Sequence, residues 1–130
     1  MKKFMVFIVT SLVIVFNLAF SNRQTNPGEL AAKWRLRANN SKLIGTIEIR
    51  PDGTYIYSVL PNYNQNGSIT FNAGKEPKEI DLVAANGRTK GIYKITGNSL
   101  MLFLGDINGA RPANFNTGAA PNSILWMGTK

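Results

Sequence analysis

From residue 31 to residue 127, apolar side chains recur at every second position in short runs, and turn-forming residues bound each run. Such alternation puts apolar groups on one face of an extended chain and polar groups on the other, which is the pattern of a half-buried β-strand. After Glu29 no segment keeps helical periodicity for more than about two turns. The runs predict eight strands, over 31–37, 43–50, 54–60, 68–72, 79–85, 89–95, 99–104 and 123–127, of which 99–104 is apolar on both faces and is not oriented by alternation. The breaks between them carry their own chemistry. Pro51-Asp52-Gly53 presets one turn, Asn86-Gly87 suits a tight hairpin, and Thr96-Gly97-Asn98 turns the chain again. Residues 61–67 and 105–122 read as loops.

Eight short strands joined mostly by hairpin turns, with no crossover helix, predict an all-β antiparallel meander. A meander of this size closes into a single up-and-down β-barrel and so removes its unpaired edges. A β-sandwich is the alternative the pattern leaves open. Closure requires the first strand to pair with the last. The chain has 130 residues, 44% of them apolar, which supplies one domain with a core. It has no Cys, so that core has no disulfide to assist it.

The start of the chain has a different pattern. Lys2 and Lys3 precede an apolar stretch from Phe4 to Phe20, and no acid occurs before Glu29. A short basic start, an apolar run and then small residues is the layout of a secretory signal peptide. Ala19-Phe20-Ser21 places the expected cut after Ser21. The expected organisation is a signal peptide over 1–21, a flexible leader over 22–28 and a barrel domain over 29–130. The expected location is periplasmic or extracellular; an uncleaved membrane anchor is the rival reading.

Three motifs in the second half carry a resemblance. They are Pro77-Lys78-Glu79-Ile80-Asp81-Leu82, then Gly91-Ile92-Tyr93-Lys94-Ile95-Thr96-Gly97-Asn98-Ser99-Leu100, then Arg111-Pro112-Ala113-Asn114-Phe115. In order and spacing they resemble a family of small uncharacterised exported bacterial proteins, grouped as lipocalin-like and common in planctomycetes. The chain departs from that pattern at Ala32, where the family has Gly, at Asn98, where it has Asp, and at Phe103, where Cys is frequent. The resemblance implies a barrel and, by analogy, ligand binding. It implies no chemistry.

The absence of His and Cys excludes thiolate chemistry, the Ser-His and Cys-His triads and the usual zinc sites. Glu76, Glu79 and Asp81 are the one carboxylate cluster, interleaved with Lys75 and Lys78. Its expected role is a solvated, charge-paired strand start and not a glycosidase pair. With Asp52 and Asp106 these acids match no calcium loop. No catalytic residue, metal or cofactor is expected.

Lys and Arg number 15 against 7 Asp and Glu, a net charge of +8. Lys33, Arg35 and Arg37 stand on one face of the first strand, either as a solvated outer face or as a stripe for an anionic envelope component. Nucleic acid is not an expected partner. Tyr55, Tyr57 and Tyr93 are the candidate ligand-binding residues, as amphipathic side chains facing the interior. Trp34, Arg111 and Phe115 are the expected structural set: the loop over 105–122 folds across one end, and Arg111 stacks on Trp34. The combined expectation is an exported, non-enzymatic small barrel that binds an apolar or amphipathic small molecule or an envelope component. The alternative is a filled barrel that acts as a structural or inhibitory interaction module.

Overall fold

Strand β1 (Ala32–Ala38) follows the alternation of its sequence: Trp34, Leu36 and Ala38 are buried, while Lys33, Arg35 and Arg37 are exposed. The computed structural model describes residues 27–130. The remaining strands are β2 (Ile44–Ile49), β3 (Thr54–Val59), β4 (Tyr63–Asn72), β5 (Lys78–Ala84), β6 (Gly87–Thr96), β7 (Ser99–Ile107) and β8 (Ile124–Thr129). Each pairs antiparallel with the next, and β1 pairs with β8 through Arg35↔Thr129 to Ala38↔Trp126, closing the barrel. The expected closed up-and-down barrel is therefore the observed fold. The expected signal peptide over 1–21 and the leader up to residue 26 lie outside the described residues.

Inward positions of all eight strands meet in one core that includes Trp34, Ile47, Tyr55, Ile80, Leu102 and Trp126. Burying one large apolar side chain contributes about 1.5–3 kcal/mol, so this interior is what holds a disulfide-free domain together. Turn chemistry fixes the register. Gly53 takes a φ of 86° after Pro51-Asp52, and the Asp52 carboxylate accepts from the Thr54 backbone N–H at 2.9 Å and from its hydroxyl at 2.6 Å. These two hydrogen bonds to Thr54 hold the Asp52 carboxyl below its ordinary pKa.

The structure differs from the sequence reading in three places. First, β4 has ten residues and absorbs most of the expected loop over 61–67. Asn64, Gln65 and Asn66 have little strand propensity, yet they pair along β3 from Tyr63↔Val59 to Ser68↔Thr54. Gly67 sits where a side chain would run into the Val83 carbonyl, so its lack of a Cβ admits the close approach of β5. Second, β7 extends to Ile107, which pairs with Thr89 across a register shift. Third, the expected leader ends inside a 3₁₀ turn, Gly28–Leu30, whose Leu30 is buried in the core. That turn closes the end of the barrel near Trp34, whose indole N–H donates to the Leu30 carbonyl at 3.0 Å.

The loop over 108–123 does not cross that end. It lies on the outside of the wall, over a second apolar cluster made by the outward-facing Ile92, Phe103 and Leu125, with Met101, Phe115 and Ala120 packed against it. Arg111 pins the loop. Its guanidinium donates to the Gly91 carbonyl at 2.8 Å and the Ile80 carbonyl at 3.2 Å, and lies 2.7 Å from the Asp81 carboxylate.

Candidate functional site

The end opposite the 3₁₀ turn is open. There a cavity of about 290 Å³ enters the barrel between β3, β4, β6, β7 and β8. Tyr57, Val59, Gln65, Thr89, Leu104 and Ile124 line its walls, and Asp106 and Asn122 stand at its rim. All six wall residues occupy inward positions of their strands, so the pocket is the upper interior of the barrel and not a crevice between surface loops. Typical small-molecule sites hold about 300–1,000 Å³, so this one suits a molecule of about one ring or a short chain.

Tyr57 forms the floor. Its hydroxyl accepts from the buried Trp126 indole N–H at 2.8 Å, and its ring meets the edges of Trp126 at 6.2 Å and Tyr63 at 6.0 Å. Burial pushes the Tyr57 phenol well above its ordinary pKa, partly offset by the hydrogen bond from Trp126. A second polar chain crosses the wall: the Tyr55 hydroxyl donates to the Gln65 carbonyl oxygen at 3.0 Å, and the Gln65 amide donates to the Tyr63 hydroxyl at 3.2 Å. Apart from Gln65 and Thr89, the rest of the wall, Val59, Leu104 and Ile124 around the Tyr57 ring, is apolar. Among the described residues Asp106 is the one charged side chain lining the cavity, and it is exposed. The arrangement offers an apolar slot, an aromatic floor and a single negative charge at the rim.

Of the three candidate tyrosines, only Tyr57 lines this cavity. Tyr55 is fully buried beneath it and holds Gln65. Tyr93 is buried in the core, with its phenol near the Glu29 carboxylate of the closed end. Burial pushes both phenols up to about 12.

Trp34 and Arg111 are not brought together. Trp34 faces the interior, whereas Arg111 binds Asp81, whose outward position lies between the core residues Ile80 and Leu82. The strand wall separates them. The cation over the Trp34 ring is Lys130, 5.2 Å from its centroid. Phe115 packs on the outer cluster beneath the loop. The carboxylate cluster is also divided: Glu76 is exposed in the turn, while Asp81 is 1% exposed and held by Arg88 and Arg111, each at 2.7 Å. Asp81 is thus buried where a solvated strand start was expected, because the loop over 108–123 covers it. Among the described residues no group of His, Cys, Asp and Glu is arranged to hold a metal.

Val59, Gln65, Thr89, Leu104, Asp106, Asn122 and Ile124 line the site without having been singled out from the sequence. The available signal was Gln65 and Thr89, polar residues at inward positions. Reading 61–67 as a loop gave Gln65 no face, and starting a strand at residue 89 gave Thr89 no context. Comparison with protein-family models, curated proteins and solved structures finds no match to this chain.

Proposed function

We propose that the protein is a small exported binding barrel, lipocalin-like in plan, whose open mouth takes a neutral or cationic amphipathic molecule of about one ring. The observation that carries this reading is the 290 Å³ cavity walled by Tyr57, Val59, Gln65, Thr89, Leu104 and Ile124. Apolar walls favour a ring or short chain, while Gln65 and Thr89 give orientation to a polar end. The lone Asp106 at the rim favours a donor or an ammonium group over an anion. The absence of His and Cys from the whole chain accords with binding and not catalysis. The signal-peptide-like pattern over 1–21 and the resemblance of the three motifs to the lipocalin-like family support the export part of the reading.

The test is a calorimetric series with benzyl alcohol, benzylamine and benzoate, molecules of one size and three charges. Alcohol and amine should bind, and benzoate should bind at least several-fold more weakly. Val59→Trp, which fills the slot, should abolish all three. Asp106→Asn should weaken the amine by up to about fivefold, the usual worth of an exposed charge, and leave the alcohol unchanged. Equal binding of all three molecules to the Val59→Trp variant would contradict the reading.

A further inference from the structure

The outer wall carries a second concavity, of about 650 Å³, on β1, β2, β6, β7 and β8. It shares no residue with the mouth. We propose that this face docks on an anionic lipid surface.

The strand register builds it. Ile44, Arg37, Met127, Met101 and Lys94 are successive cross-strand neighbours in one row across five strands. Side chains opposite one another on adjacent strands touch, so the row presents two thioethers bracketed by two cations. The adjacent row runs Arg35, Thr129, Ser99 and Thr96, a third cation followed by three hydroxyls. No carboxylate lines the concavity, and none of the ion pairs among the described residues uses Arg35, Arg37 or Lys94. Met127 is 41% exposed and Ile44 52% exposed, which is unusual for an outer wall whose other apolar cluster is roofed by a loop.

Two properties of the face choose its occupant. Three unpaired cations with hydroxyls beside them suit phosphate groups, which take several donors at once. The central apolar strip of Met127 and Met101, with Ile44 beyond Arg37, suits the glycerol and upper acyl region, where flexible thioethers pack against irregular apolar surface. A hydrated acidic polysaccharide would satisfy the cations and leave the strip facing water. Nucleic acid would call for aromatic platforms, and the concavity has none. Lys33 stands outside it, opposite Glu48, so only part of the basic stripe of β1 contributes.

The experiment is co-sedimentation of the full chain with vesicles of phosphatidylcholine alone and of equimolar phosphatidylcholine and phosphatidylglycerol. The readout is the ratio of the two partition coefficients. The apolar segment over 4–20 is common to every variant and cancels in that ratio. Removing Arg35, Arg37 and Lys94 together as Gln variants should lower the ratio about a hundredfold, since each cation at an anionic surface is worth about a fivefold change. A matched triple variant, Lys33→Gln with Arg50→Gln and Lys75→Gln, loses the same charge outside the face and should lower it much less. Raising the salt to shorten the screening length should mimic the first variant. Met127→Ser with Ile44→Ser should weaken binding to the mixed vesicles with circular dichroism unchanged. Equal losses for the two charge triples, or salt-sensitive binding to alginate without preference for the mixed vesicles, would overturn the proposal. The mouth-filled Val59→Trp variant should keep the full ratio, so this face and the mouth succeed or fail separately.

Discussion

The two ends of the barrel are built from the same eight strands and finished in opposite ways. At one end the 3₁₀ turn Gly28–Leu30 inserts Leu30 into the core, Trp34 binds its carbonyl, and Lys130 lies over the indole. At the other the strands run on to a mouth with Val59, Gln65, Thr89 and Ile124 around an empty space. The long loop that could have covered the mouth is held to the outer wall by Arg111 instead. A barrel of short strands has room for one core. Filling one end and leaving the other open lets a small domain keep its stability and still keep a cavity.

The largest effect that sharpens this contrast is at the closed end. Trp34→Ala should lower the unfolding free energy by about 3–5 kcal/mol in denaturant titrations, the usual loss for a buried large aromatic. Val59→Ala at the mouth should cost about 1 kcal/mol. Equal costs at the two ends would erase the contrast. Next is the clamp on the outer wall. Arg111→Met removes one of the two guanidinium groups held against the buried Asp81 and should cost about 3 kcal/mol. Hydrogen exchange should then rise first over 108–123 and last around Trp34.

The third effect is on pH. Tyr55 and Tyr93 are pushed up to about 12 from an ordinary 10.0. A phenol whose pKa is raised in the fold contributes stability that is complete below the ordinary value and is lost as pH rises through the folded one. Stability should therefore hold up to pH about 10 and fall by about 2 kcal/mol by pH about 11 from the two together. Thermal melts across that range check it; a decline that begins near neutrality would contradict it. The fourth effect is at the floor of the mouth. Tyr57→Phe removes the acceptor of the Trp126 N–H and should cost about 1–2 kcal/mol, because the buried donor is left unpaired. A double variant with Trp126→Phe should cost less than the sum of the two single variants, because the pair is hydrogen-bonded.

The barrel was legible because its signal is local. Trp34 and Leu36 alternating with Lys33, Arg35 and Arg37, or Gly53 after Pro51-Asp52, specify strand faces and turns within a few residues. The finish of each end was not, because beyond the Trp34–Leu30 bond it depends on contacts between distant segments. Nothing near Arg111 says that its partners include Asp81, Glu79 and the carbonyls of Ile80 and Gly91. Phe103 looked like part of a strand apolar on both faces, and only the loop packed over it explains why. Gln65 was hidden by its neighbours Asn64, Asn66 and Gly67, whose turn-like composition yields to pairing with β3. Of the three tyrosines, inward direction was correctly read from alternation, but depth along the barrel was not. Depth separates Tyr57 in the mouth from Tyr55 and Tyr93 in the core.

The central claim is that the barrel is a cup with one usable end. The most direct measurement is a titration of isotope-labelled protein with benzyl alcohol, followed by backbone and methyl chemical shifts. Benzyl alcohol is uncharged and so gains nothing from the cations of the outer face, and shifts at Met101 and Met127 report any contact there separately. The expected result is saturable shifts at Tyr57, Val59, Thr89, Leu104 and Ile124, with Leu30, Trp34 and Ile47 unmoved. Shifts centred on Leu30 and Trp34, or no saturable shifts at the mouth, would contradict it.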